Sequence, residues 1–144
     1  RWDTHTPREV EVMDGACLLL RGEVLNRVGL LDERYFMYSE EVDLCYRMLQ
    51  AGWKLYWVPQ AEVMHHGAAS SRQMAEAMYI QLYRSKVQFH RKFGGCWRAR
   101  LFKVLLTLAY VPRWVVAAVG QNLVADLEAR ANAYRRMLTE LPAM

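Results

Sequence analysis

After Ser71 the chain changes the period of its apolar residues, and this change limits what it can fold into. Upstream, the signals are short and mixed. Residues 9–12 alternate Glu9, Val10, Glu11 and Val12, the period of a half-buried strand. Asp14 and Gly15 form a turn signal, "ACLLLR" reads as a buried strand, and "GEVLNRVG" as a short helix stopped by Gly29. The segment "LLDERYFMYS" reads as a loop ending at Ser39, a candidate N-cap for the helix "EEVDLCYRMLQA". That helix would bury Val42, Cys45 and Leu49 and end at Gly52, and two strands, "KLYWVP" and "AEVMHHG", would follow on either side of Pro59. Downstream the pattern is helical: 73–93, a break at Gly94 and Gly95, then 98–119 and about 121–140. The expected organisation is an α/β segment over 1–72 followed by a helical tail over 73–144.

Charge follows the same division. Residues 1–71 hold 7 Lys/Arg and 11 Asp/Glu, whereas residues 72–144 hold 12 and 4. No acid occurs between Glu76 and Asp126. An acidic part suited to chemistry and a basic part suited to an anionic surface are expected. With 144 residues the chain has the size of one domain or of half a larger one. It opens on Arg1 with no visible leader, which suggests a piece whose N-terminal part is missing. Cys17, Cys45 and Cys96 are too scattered for a disulfide framework or a cysteine zinc site, and three reduced, mostly buried thiols are expected.

Two clusters carry possible chemistry. Glu40, Glu41 and Asp43 fall at the start of the helix capped by Ser39. Acids there are favoured by the unpaired N–H groups and the helix dipole whatever their function. The dipole also tends to keep such a carboxyl ionised near neutral pH, so it can accept a proton from a substrate hydroxyl. Asp43 would either orient that group or pair with Arg47 one turn on. His65 and His66 are adjacent, and on a strand they would point to opposite faces, so at most one would face the carboxylates. A single imidazole with oxygen ligands suits Mg²⁺ or Mn²⁺ at a diphosphate.

The run "DGACLLLRGEVLNRVGLLDERYFMYSEEVDLCYRMLQAGWKLYWVPQAEVMHHGAASS" resembles the C-terminal half of the catalytic domain of family 2 glycosyltransferases, nearest to the bacterial rhamnosyltransferase-like branch. The resemblance covers roughly residues 14–71 and implies a GT-A nucleotide-sugar transferase fold, represented here by its C-terminal part. It implies Glu41 as catalytic base with Glu40 as partner, although the family usually has Asp at the position of Glu41, so Glu40 or Asp43 could share the role. It implies His65 as a metal ligand, a divalent cation (Mg²⁺ or Mn²⁺) as cofactor, and Gly15, Ala16 and Cys17 along the acceptor side of the cleft. The implied reaction is inverting transfer of a sugar from a nucleoside-diphosphate sugar to a hydroxyl of a glycan or lipid-linked acceptor, with rhamnosyl transfer in cell-envelope polysaccharide synthesis as one form.

In the basic tail, eight Lys/Arg residues lie between Arg84 and Arg113, interleaved with Trp97, Phe102 and Tyr110. Lys103, Pro112 and Arg113 make 98–119 a poor membrane spanner, and a helix lying in the headgroup plane of an anionic membrane fits better. A helix docked into the core is the bland alternative. The segment is too apolar for a nucleic-acid groove. The expected location is cytoplasmic and peripheral, at the inner face of the cell membrane. The competing reading of the whole chain is a non-catalytic membrane-docking or interaction module derived from the same fold.

Overall fold

The computed structural model describes residues 5–65, 75–120 and 125–144. The chain divides into two compact units, Arg1–Arg72 and Gln73–Met144. His66 and the link over 67–71 lie outside the described residues.

In the first unit, strand β1 (Arg8–Val10) pairs antiparallel with β2 (Leu55–Trp57), with Glu9 opposite Tyr56. Lys54 Nζ donates to Glu9 Oε2 at 2.8 Å beside this pairing. Between the strands lie helix α1 (Gly22–Val28) and helix α2 (Glu40–Gln50). Val24, Leu44, Cys45, Met48 and Leu55 form the buried cluster, against which Val10, Met13, Leu20 and Leu49 pack. The apolar stripe of α2 is therefore turned by a residue or so from the expected one. Leu44 and Met48 are buried, whereas Val42 is only partly covered.

Among the described residues, two expected strands do not form. Residues 15–20 form a turn and irregular chain, with Leu19 97% exposed. Residues 61–65 are irregular as well. Apolar runs become strands only when a neighbour supplies the ladder of hydrogen bonds. Among the described residues the only sheet is the β1–β2 pair.

The second unit is helical. Helix α3 (Ala75–Gly120) is interrupted at Gly95, whose φ of 70° and ψ of −178° lie in a region that only glycine adopts without strain. Contacts between the two arms of α3 run in antiparallel order. The His90 ring lies 4.5 Å from that of Phe102, and the Tyr83 ring 5.7 Å from that of Tyr110. Tyr110 also shares hydroxyl hydrogen bonds with Tyr79 and, at 2.6 Å, with Tyr83. Helix α4 (Ala125–Glu140) and a closing 3-10 turn (Leu141–Ala143) complete the bundle. Its core includes Ile80, Val87, Leu106, Met137 and Leu141. Arg84 bonds Glu140, and Arg91 donates to the Met144 carbonyl. The break at Gly94 and Gly95 thus works as a hinge of the bundle. Replacing Gly95 by Ala should lower the stability of this unit by about 1–3 kcal/mol, read from denaturant unfolding. No change would mean that the reversal does not depend on the glycine.

Candidate active site

The acidic start of α2 is held by its neighbours rather than by its own cap. Ser39 occupies the N-cap position, but its backbone is left-handed (φ 69°, ψ 0°) and its side chain makes no capping hydrogen bond. Tyr38 precedes it at φ 67°. Two consecutive non-glycine residues in this region store strain that the surroundings must hold.

What holds it is Asp43. This carboxylate is fully buried and accepts from Arg47 Nε at 2.7 Å and from the Tyr35 hydroxyl at 3.4 Å. The same guanidinium continues outward, with Nη1 donating to the Val28 carbonyl and Nη2 to that of Leu30 at 2.8 Å. One buried acid thus fastens the end of α1 and the loop behind it to α2. Asp43 has no face left for a substrate and serves to position its neighbours. Tyr35 and the carbonyl contacts of Arg47 were not anticipated from sequence; only the i,i+4 spacing of Asp43 and Arg47 signalled this latch.

Glu40 and Glu41 differ from Asp43. Each is half-buried, and among the described residues the Oε2 atom of each is sealed from solvent without a hydrogen-bond partner. The Glu41 carboxyl is pushed above its usual range, first by burial and then by the charges of Glu40 and Asp14. Its own backbone N–H and that of Val42 pull the other way, as expected for a helix start, but they are outweighed. The expectation that the helix start lowers this pKa is therefore corrected: loss of water outranks the dipole.

The turn over 14–17 brings the other candidates to this carboxylate. Asp14 Oδ1 accepts from the Ala16 N–H at 2.9 Å, an Asx turn. A Cβ built on Gly15 would lie 3.5 Å from Glu41 Cβ. One turn along α2, the Met13 backbone N–H meets the Cys45 thiol, whose pKa burial nevertheless raises. Gly15, Ala16 and Cys17 are all exposed along this turn. Only Cys45 of the three cysteines is buried, which corrects the expectation of mostly buried thiols; Cys17 and Cys96 face solvent on a turn and beside the hinge.

His65 is exposed on irregular chain and is joined to Glu40, Glu41 or Asp43 by no hydrogen bond or ion pair among the described residues. Because residues 61–65 are not a strand, the argument from alternating faces does not apply. No group of three or more His, Cys, Asp and Glu residues able to hold a metal ion occurs among the described residues. The described residues do not by themselves fit a cation site, and no chemical step here runs through one.

The half-buried Glu41 carboxyl, with one oxygen that lacks a hydrogen-bond partner, thus lies beside the exposed turn at Gly15. The family model described as glycosyltransferase-like family 2 matches residues 4–84. The chain belongs to this family. Membership implies the GT-A class of α/β fold; the described structure itself is mostly helical with one small sheet. The N-acetylglucosaminyl-diphospho-decaprenol L-rhamnosyltransferase of Mycobacterium tuberculosis is 42% identical over 95 residues, covering 65% of this chain and 31% of that protein. The rhamnosyltransferase WbbL of Escherichia coli is 38% identical over 58 residues, covering 40% of this chain and 22% of that protein. A low-salt glycan biosynthesis hexosyltransferase of Haloferax volcanii is 37% identical over 43 residues, 30% of this chain and 14% of its own length. The chain thus spans 31% or less of these relatives. No solved structure matches it.

Two predictions follow from this geometry. Arg47→Met would leave the buried Asp43 carboxylate without its cation, and should destabilise the first unit by about 3–5 kcal/mol; thermal or denaturant unfolding checks this, and a loss under 1 kcal/mol would show the latch to be dispensable. Glu41→Gln removes a charge that the fold disfavours. Because the folded pKa is raised, the ionised carboxylate opposes folding above that pKa, and the penalty vanishes at pH values below the unfolded one. The variant should therefore have the higher Tm at neutral pH, with the gain fading as pH falls through the carboxyl range.

Proposed function

We propose that this chain is the acceptor-side, catalytic-base half of an inverting glycosyltransferase that moves a sugar from a nucleoside-diphosphate sugar to a hydroxyl of a glycan or lipid-linked acceptor. The observation that carries this reading is the Glu41 carboxylate. It is half-buried, raised in pKa, has one oxygen without a hydrogen-bond partner and lies against the exposed Gly15 turn. The names of the two rhamnosyltransferase relatives support rhamnose as the sugar, and the diphospho-decaprenol in the first supports a lipid-linked acceptor; cell-envelope glycan assembly is the setting proposed with them.

In this reading Glu41 accepts the proton of the acceptor hydroxyl as that oxygen bonds to the anomeric carbon. The bond from that carbon to the nucleoside diphosphate breaks on the opposite face, and the leaving group departs with the electron pair. Desolvation makes the carboxylate a stronger base than a solvated glutamate, and positioned base catalysis contributes roughly 10²–10⁴-fold. Glu40 keeps the local charge density high, and Asp43 with Arg47 fixes the helix start. Gly15, Ala16 and Cys17 line the acceptor side, where the lack of bulk at Gly15 and Ala16 lets a sugar approach. A cation at the diphosphate would draw most of its ligands from outside the described residues, with His65 as one candidate donor. The enzyme would act on the cytoplasmic side, peripheral to the membrane.

The test is Glu41→Gln in the full-length enzyme. Turnover should fall by about 10²–10⁴-fold while donor binding survives. In the wild type, the acidic limb of kcat/KM against pH should lie above the ordinary glutamate range, since the base must be deprotonated and its pKa is raised. Wild-type turnover in the variant would remove Glu41 from the mechanism.

A further inference from the structure

The second arm of α3 has two apolar faces, and only one is used. Ala99, Leu106, Tyr110 and Ala117 are buried in the bundle. On the opposite side Trp97, Leu101, Leu108, Val115 and Val119 are exposed, Leu108 by 65% and Val119 by 77%. Their spacing of mostly four and seven residues keeps them in one stripe. From Trp97 to Val119 the stripe runs about 33 Å, long enough to lie beyond the scattered apolar exposure normal for a soluble surface.

We propose that this stripe is a membrane-inserting face, lying flat in the headgroup region of an anionic bilayer. Charge complementarity selects that occupant. At about 100° per residue, Arg98 and Arg100 fall on the two shoulders of the stripe beside Trp97, and both are exposed. No acid lies anywhere between Glu76 and Asp126, so nothing in this arm repels lipid phosphates. The stripe itself is mainly Leu and Val on a convex helix surface, suited to acyl chains, and its tryptophan suits the interface. The arm belongs to a helix that is long and apolar enough to cross a membrane by length and composition. Crossing would strip its other face of packed contacts, including the Tyr79 and Tyr83 bonds to Tyr110 and the Lys103 bond to the Pro142 carbonyl. Lying flat keeps them all.

The inference does not depend on the transfer reaction, and its readout is lipid binding alone. The full chain is floated with vesicles of phosphatidylcholine, with and without phosphatidylglycerol. Binding should require the anionic lipid and weaken with salt. Leu108→Glu with Val119→Glu, both exposed on the stripe, should lower vesicle binding more than tenfold with the helical circular dichroism unchanged. Arg98→Gln with Arg100→Gln should lower the preference for anionic vesicles by roughly 10–30-fold, at about 1 kcal/mol for each charge. In a second measurement that needs no charged variant, the fluorescence lost in Trp97→Phe should be quenched more by lipids brominated near the headgroup than at the chain end. Four results would overturn the proposal: vesicle binding that survives the two glutamates, absence of binding, a lipid-free dimer that the glutamates dissociate, or resistance to alkaline extraction, which would mean a spanning helix.

Discussion

The first unit depends on one buried ion pair. Asp43 sits at zero exposure, where a lone carboxylate would be strongly disfavoured. Arg47 resolves that problem and creates a second one, because a guanidinium carries five donors. The surplus donors go to the carbonyls of Val28, Gly29 and Leu30, chain that has just left α1. Satisfying the acid therefore determines where the loop before α2 runs. With that path fixed, Tyr38 and Ser39 are held in left-handed conformations, and the first turn of α2 has no side-chain cap. The position of Glu40 and Glu41 is a consequence of this chain of requirements, not of local helix preference.

The same view explains what the sequence made legible. Helices α1 and α2 and the hinge at Gly95 could be read because their signals are local: a glycine with positive φ at the stop, an apolar stripe at helical period, an i,i+4 acid–base pair. The strand expected in "ACLLLR" failed because a strand is a relation between segments, and three consecutive leucines say nothing about whether a partner lies alongside. The Asp43–Arg47 pair was readable, but its outer half was not. Contacts from Arg47 to carbonyls 17 to 19 residues earlier follow from the tertiary path alone. For the site, residue types and family motif pointed to Glu41. The direction of its pKa shift could not be read, because burial and the helix terminus oppose each other and their balance depends on depth.

If Glu41 is the base proposed above, that balance is where stability and function part. Glu41 is placed among negative neighbours and partly out of water, both unfavourable to a charged group. A fold under selection for stability alone would solvate this residue or give it a cation, as Asp43 receives Arg47. The contrast within three positions of one helix is informative. The acid that is buried is paired; the acid that borders the open turn is left short of partners. Local destabilisation of this kind raises the basicity of the carboxylate, which a proton-accepting role requires.

The second unit solves a different problem with similar economy. A long helix that is apolar on both sides cannot remain a straight rod in water, since one side or the other stays wet. Breaking it at Gly95 lets the two arms bury one face against each other and against α4, with the tyrosine hydroxyls of 79, 83 and 110 satisfied together inside that contact. The bundle can cover only the inner face of the second arm. Its outer face repeats the apolar pattern where a solvated helix would alternate to Lys, Glu and Gln, and the charges nearby are of one sign. Packing within the bundle explains Leu106 and Ala117 but gives no reason for Leu108 or Val119 on the opposite side. Those residues contribute nothing to the core of the bundle, and they are the observation behind the membrane-facing stripe proposed above.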